Sequence, residues 1–313
     1  MHAVVIDGGE LVYRERPDPV PGDTELLVAV GAAGLNAADL LQRRGLYPAP
    51  PGSPPDIPGM ELAGEVAAVG SRVTRHSVGD RVMAVVGGGA QATLAVVDEF
   101  HALAVPDNVG WAEAGGFPEA FSTAHDALFT QCGLAMGERV LVTGAAGGVG
   151  TAAVQLAAAA GAVVVASVRS ADHRAAVAEL GATVVDPDEV AGAGPYDVVL
   201  ELVGAASLQG VLGSLATGGR VAVVGVGGGS RIELDLLALM AARARIGGST
   251  LRSRDRREKA EVAEAVATHV LPLLAAGRVR VPICQTFDLP RAATAYERFA
   301  QRSKLGKVVL TVH

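Results

Sequence analysis

The chain has 313 residues, of which half are hydrophobic, 40 are glycine and only 4% are aromatic. Ordinary proteins carry about 7% glycine; this surplus has no Gly-X-Y period, and the apolar content rules out a disordered or collagen-like chain. The net charge of -7 disfavours nucleic acid or an anionic membrane as the main partner.

Two domains fit the length, each large enough to bury its own core. Cys132 and Cys284 cannot build a disulfide framework or a cysteine-rich zinc site, and read as inert thiols in a reducing compartment. Positive charge is nearly all arginine; the lysines are Lys259, Lys304 and Lys307 alone. The N-terminal stretch carries acid within seven residues and no long apolar run, so it does not read as a signal peptide, and a cytoplasmic protein is expected.

In chain order, short apolar runs come first, at Ala3–Ile6, Glu25–Val30, Leu62–Val69, Arg81–Val86 and Ala92–Val97, separated by Pro/Gly clusters. They predict a β-rich first part. Residues 45–59 hold six of the sixteen prolines and predict a rigid surface loop. After Trp111 the pattern alternates. A helix is expected over Glu113–Phe129. Strands follow at Arg139–Thr143, Val163–Ser167, Thr183–Val185, Val198–Leu202 and Arg220–Val224, with helices over 150–160, 171–180 and 206–216 between them, and a further strand over 245–250. Strands alternating with helices of about ten residues imply a doubly wound parallel sheet. A helix over 255–276, a strand over 281–287, a helix over 290–302 and a strand over 306–312 complete the chain. The expected division is 1–112, 113–254 and 255–313, with the outer pieces pairing into one domain.

One stretch raises a membrane question. Residues 140–168 contain no charge and no histidine, long enough for a span, which needs about 20 residues. They nevertheless read as strand, glycine turn, alanine helix, stop at Gly161, and strand. Non-alternating strands suit a buried parallel βαβ unit.

The glycine turn carries the chemistry. Thr143-Gly144-Ala145-Ala146-Gly147-Gly148-Val149-Gly150 follows a strand and opens a helix. Such a turn lets backbone N–H groups approach a pyrophosphate at a positive helix end, and Ala146, Gly147, Gly148 and Val149 are the expected contacts. The same residues fit the T-G-x-x-x-G-x-G pattern of short-chain dehydrogenases. That reading fails, because Tyr196 and Tyr296 have Leu200 and Ala300 four residues on rather than lysine. The second strand ends without an acid for a ribose 2′-hydroxyl. Ser167, Arg169, Ser170 and Arg174 would instead hold a 2′-phosphate, which favours NADPH. Val203, Gly225 and Val226 lie at predicted strand ends, where cofactor crevices open.

Motifs over essentially the whole chain resemble the medium-chain dehydrogenase/reductase superfamily, and within it the zinc-independent quinone oxidoreductases of the p53-inducible-gene-3 type. They are residues 34–52, IPGMELAGEV (57–66), VGDRVMAVVGGG (78–89), TGAAGGVGTAAVQLA (143–157), GGRVAVVG (218–225), GSTLRSR (248–254) and GKVVLTV (306–312). The resemblance implies an α/β fold with a Rossmann domain inserted in a β-rich GroES-like catalytic domain. It implies hydride transfer from NADPH to a quinone or conjugated carbonyl in a cleft between the domains. Asn36 and Tyr47 would line that cleft, with Tyr47 donating a hydrogen bond or proton to the developing phenolate or enolate, and Thr123 would lie by the nicotinamide. Zinc-dependent relatives have Cys at the position of Asn36 and His at that of Met60; only Glu61 is retained, so no metal is expected.

The chain departs from the family at Ala90-Gln91-Ala92, where aromatic and acidic residues are usual, and at His125 and His173. His125 reads as a partly exposed helix histidine. An alternative acceptor is the activated C=C bond of an enal or enoyl thioester, since the AAGGVG turn is shared with enoyl-reductase domains of polyketide synthases. A non-catalytic nucleotide- or RNA-binding role is the alternative of another class, against which the acidic charge argues. The strand over 245–250 resembles the edge through which the superfamily dimerises, so a homodimer is expected.

Overall fold

A computed structural model describes residues 1–301 and 303–313, which divide into two compact units. One comprises Met1–Ser122 with Leu251–His313, the other Thr123–Thr250.

In chain order the elements are β1 (His2–Asp7), β2 (Glu10–Glu15), β3 (Glu25–Gly34), α1 (Ala37–Arg43), β4 (Glu61–Val69), β5 (Arg81–Val85), β6 (Leu94–Asp98), β7 (Ala102–Ala104), α2 (Trp111–Gly116) and α3 (Pro118–His125). Then come β8 (Arg139–Val142), α4 (Gly148–Ala159), β9 (Val163–Ser167), α5 (Ala171–Ala178), β10 (Thr183–Val185), β11 (Tyr196–Glu201), α6 (Ala205–Val211), β12 (Leu215–Val223), α7 (Leu236–Ala242) and β13 (Arg245–Gly248). The chain ends with α8 (Arg256–His269), α9 (Leu271–Ala275), β14 (Ile283–Asp288), α10 (Ala292–Ala300) and β15 (Lys307–Thr311).

The first unit is built on a seven-stranded sheet in the order β14-β15-β3-β4-β5-β7, with β6 paired to β3. Thus the last strand lies beside the third, which joins the two outer pieces of the chain in one sheet. The strand pairs within β3 to β7 are antiparallel, and their alternating inward residues Leu26, Val28, Val30, Leu62, Val66, Val82 and Ala84 form a core. A second core, including Leu35, Leu289, Tyr296 and Leu310, lies against α10.

An ion pair lies inside this unit. Lys307 on β15 and Glu61 on β4 are 3% and 0% exposed, and Lys307 Nζ donates to Glu61 Oε1 at 2.5 Å. The ammonium also donates to Leu35 O at 2.9 Å and Asn36 Oδ1 at 2.7 Å. Glu61 Oε1 accepts from Asn36 Nδ2 at 2.8 Å, and Oε2 from the Glu119 N–H at 2.8 Å. Gly34 makes room for this: a Cβ there would stand 2.3 Å from Glu61 Oε1 and 2.8 Å from Gly115 O.

The second unit is a six-stranded parallel sheet in the order β10-β9-β8-β11-β12-β13. Numbered from β8, this is the 3-2-1-4-5-6 order of a doubly wound dinucleotide fold. Its central strands are buried along nearly their whole length, as the continuous, non-alternating apolar stretches within them predict. No helix among the described residues is long and apolar enough to cross a membrane.

Some elements differ from expectation. The helix expected over 113–129 is two, α2 and α3, followed by π-type turns over Asp126–Gln131. Pro118 lacks an N–H, and Gly115 lies so close to Ala32 that a Cβ would be 2.7 Å from it. Pro272 likewise divides 255–276 into α8 and α9. The residue expected to end the helix over 290–302, Arg302, lies outside the described residues. Strands β2 and β7 and helices α1 and α7 were not expected. The cap of α7 is nonetheless plain: the Asp235 carboxylate accepts from Leu237 N and Ala238 N at 2.9 and 3.1 Å.

Removing one partner of a buried pair strands the other charge. Lys307→Met or Glu61→Gln is therefore expected to destabilise the first unit by roughly 3–5 kcal/mol. The single tryptophan, Trp111, reports on this unit, because its ring covers Gly31 and lies under the Arg81 guanidinium, 4.4 Å from ring centroid to Arg81 Cζ. Urea unfolding followed by its fluorescence is the measurement; midpoints equal to wild type would refute the assignment.

Candidate functional site

In the second unit, β8 runs into a glycine turn that opens α4. Gly147 is the N-cap, extended at φ -75° and ψ 172°, and has no side chain to cap the helix. The first-turn N–H groups of Gly148, Val149 and Gly150 have no partner within the helix, as at any helix start, and remain available to an anion. Gly144 has φ +58°, the left-handed region that glycine adopts without cost. A Cβ on Gly150 would stand 2.6 Å from Ala145 Cα and from Gly144 O, so any side chain there would push the turn away from the helix. Ala146 and Val149 lie in the same turn, half-buried. These residues fit the pyrophosphate of a dinucleotide.

The carboxyl ends of β8, β11 and β12 are tied together beside it. Glu201, fully buried, accepts at Oε1 from Thr143 Oγ1 (2.9 Å) and from the N–H groups of Val203 and Gly204 (both 2.7 Å). Val203 O in turn accepts from Gly228 N at 2.6 Å. Gly225 closes on this turn so tightly that a Cβ would be 2.1 Å from Leu202 O. Val226 follows it and is half exposed. Glycine at 225 is thus required by close approach of two backbones.

At the end of β9, Ser167 is buried and its carbonyl accepts from Ala145 N at 3.2 Å, linking the second strand to the glycine turn. Arg169 is exposed, and Ser170 holds the N-cap position of α5 without a side-chain bond to its first turn. Arg174 is committed elsewhere in part: its guanidinium is paired with Asp186, and Nε donates to Val168 O at 3.2 Å. Among the described residues this leaves Arg169 as the cation of the expected set without an ion pair. Thr123, in α3, is buried.

In the first unit, Asn36 sits just before α1, and its amide is locked on both sides, Nδ2 to Glu61 and Oδ1 from Lys307. Asp39, one turn into α1, accepts from Asn36 N at 2.8 Å and Gly59 N at 3.2 Å. Burial pushes its carboxyl up to about 6, with the Asn36 N–H and the Lys307 charge pulling the other way. Tyr47, in the loop after α1, is half-buried beneath Arg252, whose guanidinium carbon is 5.1 Å from the ring centroid. Burial raises the Tyr47 phenol above its ordinary value, and the Arg252 charge opposes this. Asn36 and Tyr47 thus flank the same short helix. Sequence reasoning missed Lys307, Asp39 and Arg252. Only the first had a signal, as one of three lysines in the chain.

Two of the three departures from the family pattern resolve differently. Ala90, Gln91 and Ala92 are all fully buried, and Gln91 Oε1 accepts from Tyr296 Oη at 3.0 Å. They belong to the core of the first unit. His125, expected to be partly exposed, is 5% exposed and tilts against Phe129 with ring centroids 5.1 Å apart.

Zinc does not fit the equivalent positions. Asn36 and Met60 are not zinc ligands of the usual N/S set, and both carboxylate oxygens of Glu61 are already engaged by Lys307, Asn36 and the Glu119 N–H. Among the described residues no group of three or more His, Cys, Asp or Glu is arranged to hold a metal ion.

Residues 22–131 match the alcohol dehydrogenase GroES-like domain, and residues 148–268 the domain described as zinc-binding dehydrogenase. The chain is 32% identical over 320 residues to the quinone oxidoreductase of Sus scrofa, covering 97% of this chain and 94% of the relative. It is 35% identical over 298 residues to polyketide synthase GfsB of Streptomyces halstedii and 30% identical over 312 residues to a synaptic vesicle membrane protein VAT-1 homolog of Danio rerio. In each case 92% of this chain is aligned, against only 5% and 64% of the relatives' own lengths. Among solved structures, the quinone oxidoreductase of Pseudomonas syringae pv. Tomato DC3000 superposes with a TM-score of 0.87 at 29% identity, covering 99% of this chain and 100% of that one. A mycobacterial protein complexed with NADPH gives 0.88 at 28%, with the same coverage. Two domain matches in the right order, a quinone oxidoreductase aligned along nearly its whole length and a shared fold establish that the chain belongs to the medium-chain dehydrogenase/reductase superfamily, in its quinone oxidoreductase branch.

Proposed function

We propose that the protein is an NADPH-dependent, zinc-independent quinone reductase. The observation that carries this reading is the pairing, in one chain, of an uncapped glycine turn fit for a pyrophosphate with a β9 end that offers Ser167, Arg169 and Ser170 in place of an acid. When bound, the reduced nicotinamide supplies a hydride. The residues of this chain bind, orient and protonate. The amides of Gly148, Val149 and Gly150 take the pyrophosphate, and Arg169 takes the 2′-phosphate with the serine hydroxyls. Asn36, held rigid by Lys307 and Glu61, presents a fixed amide rather than a metal to the reacting groups. Tyr47 donates its phenolic proton to the oxygen that gains negative charge, and solvent restores that proton. Quinone, hydride and proton together give the hydroquinone.

Similarity to part of a polyketide synthase supports a second acceptor class, the activated C=C bond, in which the same tyrosine proton would go to an enolate. A second copy of the chain is the proposed partner. Strand β13 pairs only with β12 among the described residues, and α7 next to it exposes Leu236, Leu237 and Met240.

Fluorescence titration should give tighter binding of NADPH than NADH, and Arg169→Ala should remove about tenfold of NADPH affinity while leaving NADH unchanged; stronger NADH binding would sink the cofactor assignment. Tyr47→Phe should lower kcat on para-benzoquinone by about 100-fold, the low end of what a positioned acid supplies, and unchanged turnover would remove Tyr47 from the chemistry. A panel of quinones, enals and enoyl thioesters in the same NADPH assay decides the acceptor. Light scattering should give twice the mass of one chain, and a monomer mass would refute the dimer.

A further inference from the structure

Among the described residues no carboxylate forms an ion pair with Arg252, yet it is 3% exposed. Burying a guanidinium is costly unless its N–H groups are satisfied. Here each face of the fork finds a carbonyl-type acceptor from a different segment. Nε donates to Gly87 O at 2.8 Å, Nη1 to Tyr47 O at 3.1 Å, and Nη2 to Gln42 Oε1 at 2.6 Å. The plane also lies over the Tyr47 ring, a cation–π contact. One side chain therefore joins the end of α1, the proline-rich loop and the turn after β5.

The far end of the loop is tied by the same group of residues. Gln42, itself 5% exposed, donates from Nε2 to Pro55 O at 3.3 Å. The loop lies directly on the turn after β5. A Cβ on Gly87 would stand 2.1 Å from Ser53 Oγ, and Gly89 N donates to Ile57 O at 2.9 Å. Proline limits the loop's own conformations but provides no N–H to anchor it. The later half of the loop is held by its own contacts, among them Ile6 N to Asp56 O at 2.8 Å and Gly59 N to Asp39, whereas at Tyr47 the anchoring comes from the guanidinium.

We infer that Arg252 is a positioning residue, which sets the place and ring orientation of Tyr47 and the loop over 45–59 by clamping them to α1 and to the turn after β5. This rests on the reading of Tyr47 as proton donor. Lysine cannot replace it, since one ammonium has no planar fork to reach three acceptors in different directions.

Four variants test the clamp: Arg252→Lys, Arg252→Met, Gln42→Met and Tyr47→Phe, with Arg252→Lys also combined with Tyr47→Phe. Thermolysin cleavage within 45–59, read by mass spectrometry, should accelerate about tenfold in Arg252→Lys and less in Gln42→Met, because opening of the loop controls cutting. With para-benzoquinone, Arg252→Lys should raise KM and lower kcat, with the Kd for NADPH within about twofold of wild type. The combined variant should lose less in kcat/KM than the two single losses together, as expected of residues acting through one another. If Arg252→Met does not fold, by Trp111 fluorescence, the lysine and Gln42 variants carry the test. Wild-type cleavage and wild-type kcat/KM in both would overturn the proposal. If Tyr47→Phe turns over normally while Arg252→Lys still speeds cleavage and raises KM, the proton-donor role falls and the loop clamp stands. If Tyr47→Phe is impaired but cleavage is unchanged in the other variants, the clamp alone falls.

Discussion

The first unit is organised around one buried attraction, that between the Lys307 ammonium and the Glu61 carboxylate. The strands β15, β3 and β4 are neighbours, and the pair spans them from the last strand of the chain to the fourth. Each charge is fully surrounded by donors or acceptors, which is the condition under which an ion pair survives in an apolar interior. Gly34 is bare because Glu61 occupies the space a side chain would need. Asn36 acquires a single amide orientation as a by-product, since its oxygen meets a donor and its nitrogen an acceptor. A structural pair thereby fixes a residue proposed for catalysis.

The second unit relies on a different constraint, close backbone approach. At Gly150, in the first turn of α4, and at Gly225, just beyond β12, the chain passes within a distance that no Cβ tolerates. Much of the glycine surplus is accounted for at such places and in left-handed turns. Glu201 completes the arrangement by drawing two turn amides and the Thr143 hydroxyl onto one oxygen. Rigid strand ends of this kind keep a crevice floor flat without needing large side chains.

What was legible in the sequence was whatever local pattern decides. The parallel sheet was readable because β8, β9 and β11 carry continuous apolar stretches, Val-Leu-Val, Val-Val-Val-Ala and Val-Val-Leu, and α4 is an alanine helix opened by glycines. The antiparallel strands β4 and β5 were readable from short runs between Pro/Gly clusters. Helix α1 was hidden, since seven residues give too little periodicity, and its capping by Asp39 depends on a buried carboxylate. The division at Pro118 was written in the sequence but outweighed by the helical look of its flanks. The clamp of Arg252 and the pair of Lys307 were not readable at all. Their partners lie more than 160 residues away in the chain, and only folding brings them together. The separation of Arg174 from Arg169 also needed coordinates, because Asp186 reaches Arg174 from the end of another strand.

The scarcity of lysine gains a meaning from these placements. Of the three, Lys307 is sealed inside the ion pair, while Lys259 and Lys304 are half-buried, with burial lowering both below the ordinary lysine value. The surface therefore carries its positive charge almost wholly as guanidinium, which neither deprotonates nor reacts with carbonyl compounds as an amine does. A protein proposed to handle quinones and conjugated carbonyls, which are electrophiles toward amines, presents very few lysine amines for them to alkylate.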